Sequence, residues 1–277
     1  MTLMTTAEFE RFFEPYAPNV AGFSEAGFWR LSDALIKGLV RRHLAIGSAS
    51  AVLDAGGGTG RWAAWLAEEF DCAVTVADKS ESMLAEARRT VADLPVTLTR
   101  CDLQDAPDLP DQAFDAILST YGVLSFLDDP AAAFRTLYRV ARPGAAGLLM
   151  SHSLSTALAS KINRDGGTPE EMRTLLETGI VKWSDHVPPL RVFTATELRE
   201  LAVAAGFEVV GVYGVPCLTM PGREDFGYPY QKFSDISVAL DDREYFACVV
   251  ELELAAMERP EWTERGLNLM VHVRRPG

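Results

Sequence analysis

Short apolar runs alternate with segments of helical periodicity from residue 51 onward, which is typical of βαβ units around a parallel sheet. Apolar residues at helical spacing predict crossover helices after Gly60, after Ser80 and after Pro130. The pattern therefore predicts an α/β protein with a doubly wound, mostly parallel sheet of seven strands. The predicted strands are residues 51–55, 73–77, 96–101, 114–119, 145–151, 207–215 and 267–273.

Capping residues indicate where several helices begin. Ser80 stands directly before a helical segment, and Thr194 with Glu197 forms a capping box. Asp241 with Glu244 has the same spacing before the last helical segment. We therefore expect each of these helices to begin directly after its capping residue.

Two stretches depart from the alternation, residues 7–45 and 216–240. Long added segments in compact domains are often lids or binding loops. We expect residues 1–45 to form an N-terminal helical lid on a main domain of residues 46–277, in which residues 154–192 and 216–240 are insertions that build a ligand pocket. The aromatic residues expected to line it, if they do not fill an ordinary core, are Phe9, Phe12, Phe13 and Tyr16 in the lid and Phe226, Tyr228, Tyr230 and Phe233 in the second insertion.

The composition limits the partners of the protein. With 277 residues, 48% of them hydrophobic, the chain can bury one large core. A formal net charge of -13 opposes binding to nucleic acid or to an anionic membrane, both of which reward clustered Lys and Arg. The sequence has neither a signal-peptide pattern at its start nor an apolar run as long as a membrane span. We expect a cytoplasmic protein that binds neither nucleic acid nor membrane.

A glycine-rich turn follows the first predicted strand, in the run from Val52 to Gly60 that reads VLDAGGGTG. Glycines allow the backbone to turn sharply and to approach a ligand without Cβ atoms in the way. Dehydrogenases, phosphate-binding proteins and purely structural turns also use such loops, so this motif alone indicates only a candidate ligand site.

Two carboxylates come at the ends of the next strands, Asp78 after the second and Asp102 after the third. The carboxyl ends of parallel strands meet at one crevice, where Asp78 can accept from ribose hydroxyls and Asp102 from an adenine amine. Asp78 as a carboxylate at a helix N-terminus and Asp102 as a surface residue in a turn are the structural alternatives.

Four motifs in order resemble those of the class I S-adenosylmethionine-dependent methyltransferases. The resemblance covers about residues 50–152, and its motifs are residues 52–60, residues 78–84 (DKSESML), residues 101–103 (CDL) and residues 114–119 (FDAILS). It implies S-adenosylmethionine as cofactor and the strand order 3-2-1-4-5-7-6 with strand seven antiparallel. The segment 267–273 is suitably placed for that reversed strand.

The resemblance also implies roles for individual residues. Gly56, Gly57 and Gly58 would pack against the methionine part of the cofactor, Asp78 would hold the ribose, Lys79 and Met83 would flank the adenine, Asp102 with Leu103 would bind its edge, and Ser119 with Tyr121 would lie beside the sulfonium and the acceptor. We add Tyr16 and Asp54 to the expected cofactor-binding residues.

The glycine spacing argues against an NAD(P)-dependent dehydrogenase. Gly56, Gly58 and Gly60 are followed by Arg61, where the dinucleotide fingerprint requires a third glycine or an alanine. A pyrophosphate would also meet the acidic Asp54.

Two side chains are candidates for acid–base work at the ends of strands four and five, Tyr121 and His152. Imidazole titrates near neutrality and is the more natural base, although His152 as an ordinary loop histidine and Tyr121 as a wall residue remain alternatives. His186 could approach the site from its loop, although a histidine in a solvated loop is the favoured alternative. The four histidines have no metal-ligand spacing, so we expect no catalytic metal.

We therefore expect transfer of a methyl group to carbon, nitrogen or oxygen of a small aromatic or apolar metabolite, as in specialised metabolism. The alternatives are a protein that binds S-adenosylmethionine without transferring methyl, as a sensor or partner subunit, and one that uses the sulfonium to assist a decarboxylation or rearrangement. The sequence leaves the oligomeric state open.

Overall fold

The computed structural model describes residue 3 and residues 6–19, 25–163, 167–183, 187–226 and 232–277, with the backbone alone for residues 6 and 7. The strands are β1 (Ala51–Ala55), β2 (Ala73–Asp78), β3 (Val96–Arg100), β4 (Phe114–Ser119), β5 (Ala141–Ser153), β6 (Ile180–Val181), β7 (Leu190–Phe193), β8 (Glu208–Val215) and β9 (Asn268–Arg274). The α-helices are α1 (Thr6–Tyr16), α2 (Gly27–His43), α3 (Arg61–Phe70), α4 (Glu81–Thr90), α5 (Pro130–Val140), α6 (Leu154–Asn163), α7 (Pro169–Thr178), α8 (Ala195–Ala204), α9 (Asp235–Ala239) and α10 (Arg243–Met257). Short 3-10 helices span Ala17–Asn19, Val123–Phe126, Arg223–Phe226 and Pro260–Arg265.

The main sheet has the predicted order. Its strands run β3-β2-β1-β4-β5-β9-β8, with β1 to β5 parallel and β9 antiparallel to both neighbours. The fold is the doubly wound α/β fold expected from the sequence, and β9 is the reversed strand.

The prediction of seven strands omitted a small addition. In the described chain β6 and β7 bring the sheet to nine strands, and β7 pairs with the last two residues of β5, His152 and Ser153. This pairing is possible because β5 continues past the end of β4, where Ser119 pairs with Leu149. Strands of two and four residues are too short to show a periodic pattern in a sequence.

Helices cover both faces of the sheet. One face packs α2, α3 and α10 against β1, β2 and β5, and the other packs α5 and α8 against β4 and β9. The predicted lid over residues 1–45 therefore extends too far, because Phe28, Leu35 and Leu39 of α2 are fully buried in the first layer. Of the two helices in residues 1–45, α1 lies outside these two layers, as do α6 and α7 farther along the chain, which pack with β6 and β7 in a separate small cluster.

Local capping signals agree with two of the three predicted helix starts. Ser80 accepts a hydrogen bond from the backbone N–H of Met83, and the capping box of Thr194 is formed. The prediction for Asp241 was wrong by one residue, since Asp242 caps α10 while Asp241 forms an ion pair with Arg30. No helix in the described part of the chain is both long and apolar enough to cross a membrane.

Candidate active site

A cavity of about 1170 Å³ lies at the carboxyl ends of the central strands. Its walls come from the glycine turn after β1, the ends of β2, β4 and β5, the helices α1 and α6, and the segment around residues 220–226. Of the predicted site residues, those that line it are Tyr16, Gly56, Gly57, Gly58, Asp78, Lys79, Met83, Asp102, Leu103, Tyr121 and His152. Asp54 and Ser119 do not.

The turn after β1 can be built only with glycines at two positions. Gly56 and Gly58 have φ angles of 71° and 54°, in the left-handed region that side chains disfavour. A Cβ on Gly56 would also lie 2.5 Å from Cγ2 of Val123. The backbone therefore forms a bare cradle at the cavity wall.

Asp54 lies beneath this cradle rather than on the cavity wall. Its side chain is fully buried, and neither carboxylate oxygen has a well-formed hydrogen bond among the described residues. Burial, reinforced by the charge of Asp78, raises the pKa of Asp54 to about 7. An ionised carboxylate that is buried this deeply is costly, so this position favours a positively charged ligand close by.

The ends of β2 and β3 place two carboxylates on the same wall. Asp78 accepts hydrogen bonds from the backbone N–H groups of Gly58 and Ser80, each at 2.9 Å, which fixes its carboxylate against the cradle. Burial raises the pKa of Asp78 above its usual value. Lys79 Nζ lies 3.9 Å from an oxygen of Asp102, so a cation and a carboxylate border the space between the strand ends.

Helix α1 covers this part of the cavity. Lys79 Nζ lies 3.8 Å from the ring centroid of Phe9. Glu10 accepts hydrogen bonds from the Ser80 hydroxyl at 3.2 Å and from the backbone N–H of Glu81 at 3.3 Å, and it pairs with Arg100. The lid is thus joined to the strand ends by polar contacts and closes over the region with its rings. The lid rings that line the cavity are Phe9, Phe12, Phe13 and Tyr16.

Tyr121 is held as a hydrogen-bond donor and not as a base. Its φ angle is 53°, and its hydroxyl donates a close hydrogen bond to Asp33, which also pairs with Arg61. Burial and the Asp33 carboxylate raise the pKa of Tyr121 far above its usual value. Of the two readings of Tyr121, these contacts favour the wall residue over the candidate catalytic role as a base.

His152 has the geometry of a base. Its Nδ1 lies 2.9 Å from Oδ1 of Asn268, and Nε2 has no hydrogen-bond partner in the described chain. Burial lowers the pKa of His152, which keeps the imidazole neutral at neutral pH. A Cβ on Gly122, whose φ is 80°, would lie 2.5 Å from Nε2, so the imidazole can lie against this turn only because residue 122 is a glycine.

Ser119 was expected beside the cofactor, and the structure places it elsewhere. Its side chain is fully buried and its hydroxyl has no hydrogen-bond partner among the described residues. The next residue, Thr120, lines the cavity instead. Successive residues along an extended chain point to opposite sides, so Thr120 can face the cavity while Ser119 faces the core.

Aromatic side chains form part of the cavity wall. Trp29 and Trp183 line the cavity together with Phe226, whereas Phe233 is 43% exposed and does not. Tyr228, Tyr230 and His186 lie outside the described residues. Within the described ranges no group of three or more His, Cys, Asp or Glu side chains could hold a metal ion.

Three residues of the site were not predicted from the sequence: Asp33, Arg61 and Asn268. Arg61 carries a local signal, because it directly follows the glycine turn. Asn268 carries none, since its contact with His152 spans 116 residues of sequence.

The cavity fits S-adenosylmethionine. Three features match a ligand that carries a positive charge and a ribose. They are the bare glycine cradle, the buried carboxylate of Asp54 beneath it and the carboxylate of Asp78 beside it. The residues that would hold it are Gly56, Gly57, Gly58, Asp78, Lys79, Met83, Asp102 and Leu103.

Comparison with known proteins agrees with this fit. A methyltransferase domain family matches residues 52–144. An O-methyltransferase of Pyrenophora dematioidea is 27% identical over 205 residues, which cover 69% of this chain and 70% of the relative.

Solved structures share the fold. A chain from the complex between the Haloferax volcanii Trm112 methyltransferase activator and a methyltransferase superimposes with a TM-score of 0.62 at 15% identity, covering 97% of both chains. An S-adenosylmethionine-dependent methyltransferase of Mesorhizobium loti gives 0.55 at 20% identity, covering 91% of this chain and 100% of the other. The methyltransferase domain matched over residues 52–144 and the cavity together support a class I S-adenosylmethionine-dependent methyltransferase, with S-adenosylmethionine as its cofactor.

Proposed function

We propose that the enzyme methylates a phenolic or enolic hydroxyl of a small, mostly apolar acceptor, with His152 as the general base. The observation that carries this proposal is the free Nε2 of a neutral imidazole at the cavity wall. A general base assists transfer to a hydroxyl, whereas an amine already offers a lone pair. The relative named as an O-methyltransferase supports the same choice.

The cavity supports a flat acceptor. Phe12, Trp29, Trp183 and Phe226 contribute aromatic walls. Ligand pockets are typically apolar with a few polar groups that fix orientation, and stacked rings accept a planar ring well. A net charge of -13 opposes a nucleic-acid acceptor, which supports a small molecule.

The chemistry divides between cofactor and protein. The bound cofactor would supply a methyl group on a positively charged sulfur. This sulfur is a leaving group that needs no further activation. The wall rings hold the acceptor oxygen in line and exclude water. His152 Nε2 would accept the hydroxyl proton as the O–CH₃ bond forms and the S–CH₃ bond breaks, which leaves neutral S-adenosylhomocysteine. The imidazolium would then return that proton to solvent.

The strength of the base limits the acceptor. The pKa of His152 is lowered by burial, so Nε2 is a weak base. A phenol ionises near a pKa of about 10, while water ionises near about 15.7, and aliphatic alcohols resemble water in this respect. The proton of a phenol or an enol is therefore the one that His152 can remove effectively.

The test is a panel of phenols and of cyclohexanols of matched size, incubated with S-adenosylmethionine. We expect phenol ethers and equal amounts of S-adenosylhomocysteine, measured by mass spectrometry. His152→Gln should reduce turnover about 10²- to 10⁴-fold while S-adenosylhomocysteine binding is retained. His43→Gln, which lies outside the cavity lining, is the matched control and should keep its turnover.

Other outcomes exclude the proposal. Methylation of the cyclohexanols at similar rates, or full activity in His152→Gln, would contradict base catalysis on an acidic hydroxyl. Binding of S-adenosylmethionine without formation of S-adenosylhomocysteine would instead support a sensor, a partner subunit or sulfonium-assisted chemistry.

A further inference from the structure

Asn268 is the direct neighbour of His152 on the adjacent strand. It opens β9, is 1% exposed, and pairs in register with His152 across the antiparallel β5–β9 ladder. Residues directly opposite in such a ladder carry their side chains on the same face. The contact of 2.9 Å between His152 Nδ1 and Asn268 Oδ1 follows from this register.

The orientation of the Asn268 amide determines where the imidazole carries its proton. Asn268 Nδ2 donates to the backbone carbonyl of Val215 at 3.4 Å, on the next strand β8. The reversed amide would set Oδ1 against that carbonyl oxygen, with no proton between the two acceptors. Oδ1 therefore faces His152, and Nδ1 must be the nitrogen that donates.

We infer that Asn268 is a positioning residue that holds His152 as the neutral Nδ1–H tautomer, with the lone pair of Nε2 directed to the acceptor. A carboxylate at this position would stabilise an imidazolium, which cannot accept a proton. An amide supplies the same hydrogen bond without charge. The reaction that this arrangement serves rests on the proposed function, while the tautomer rests on the contacts alone.

Neighbouring groups keep the ring in place without adding charge. The backbone N–H of His152 donates to the Ser125 hydroxyl at 3.0 Å, and Gly122, which has no Cβ, lets the ring lie against its turn. The ionisable side chains that flank Asn268 in the cavity lining are Glu264 and Arg265, and neither forms a hydrogen bond or an ion pair with His152. Glu264 accepts from the backbone N–H of Ala195 instead, at 2.7 Å.

The direct test is nitrogen-15 NMR of histidine-labelled protein in its complex with S-adenosylhomocysteine, with the His152 signals assigned by loss in His152→Gln. At neutral pH we expect a protonated Nδ1 and an unprotonated Nε2. An Nε2–H tautomer or an imidazolium in the unchanged protein would overturn the inference, whatever the activity of any variant.

Two variants separate positioning from a merely structural role. Asn268→Asp keeps the shape but adds charge, so it should raise the pKa of His152 in NMR titration and shift the acidic limb of the kcat profile upward. Asn268→Leu removes the hydrogen bond and should lower kcat about 10- to 100-fold, part of the roughly 10²- to 10⁴-fold effect of a general base, with the KM for S-adenosylmethionine unchanged.

An unshifted His152 titration in a folded Asn268→Asp variant would refute the positioning role. Folding of each variant is checked by thermal stabilisation with S-adenosylhomocysteine. Full turnover in His152→Gln would refute His152 as the base of the proposed reaction. The spectrum of the unchanged protein would still decide which tautomer His152 adopts. The two proposals therefore fail on different measurements.

Discussion

Replacing His272 by phenylalanine should make the folded protein less sensitive to acid. His272 lies in β9, is 3% exposed, and has no hydrogen-bond partner for either ring nitrogen among the described residues. The ring of His43 lies 4.6 Å away between centroids. Burial, followed by the charges of His43 and Arg274, lowers the pKa of His272 to about 4.

The sign follows from the two pKa values. In the unfolded chain a histidine titrates near about 6.5, so between this value and about 4 the unfolded state binds more protons than the folded state. The free energy of unfolding therefore falls as pH is lowered through this window. Across the whole window His272 lowers the free energy of unfolding by about 3 kcal/mol, and about 2 kcal/mol of this is already lost by about pH 5.

Asp54 acts in the opposite direction. Its folded pKa of about 7 lies above the usual 3.8, so its contribution is present at low pH and is lost as pH rises through about 7. The acid profile of the unchanged protein combines both effects. Only the difference between the His272→Phe variant and the unchanged protein isolates His272.

The measurement is urea unfolding or thermal unfolding of both proteins, without cofactor, at about pH 7.5 and about pH 5. The advantage of His272→Phe should grow by about 2 kcal/mol between these conditions, or about 4–8 °C in Tm. His43→Gln is the control, because His43 is more exposed than His272. It should change the pH dependence of the free energy of unfolding less than His272→Phe does. Parallel pH profiles for His272→Phe and the unchanged protein would refute the reasoning.

Two further predictions concern the buried carboxylates. Glu253 is fully buried and accepts hydrogen bonds from the consecutive backbone N–H groups of residues 217–219, so Glu253→Ala should lower the free energy of unfolding by about 4 kcal/mol. Urea unfolding checks this against the exposed Glu251→Ala, and a loss below about 1 kcal/mol would contradict it. Asp54 must ionise to favour a cation, so S-adenosylmethionine affinity should rise with pH through about 7. Calorimetry of Asp54→Asn should show this dependence flattened, and an equally steep dependence would exclude Asp54 as its source.

Features that depend on neighbouring residues could be predicted from the sequence. The apolar runs predicted the strands of the main sheet, and the glycines before Arg61 predicted a turn whose φ angles only glycine adopts readily. Ser80 was identified as a cap because its partner is three residues away. Asp241 was the wrong cap because two adjacent aspartates offer the same local signal, and the ion pair with Arg30 engages the first.

Features that depend on distant residues were decided by the tertiary structure. Four ordered motifs indicated the fold, the cofactor and the part of the cavity wall that lies at the ends of β1, β2 and β3. The sequence left open whether His152 or Tyr121 carries the free base, because each depends on a partner from another part of the chain, Asn268 for one and Asp33 for the other. Only strand register and helix packing bring those partners into hydrogen-bond distance, where burial and charge then determine which group ionises.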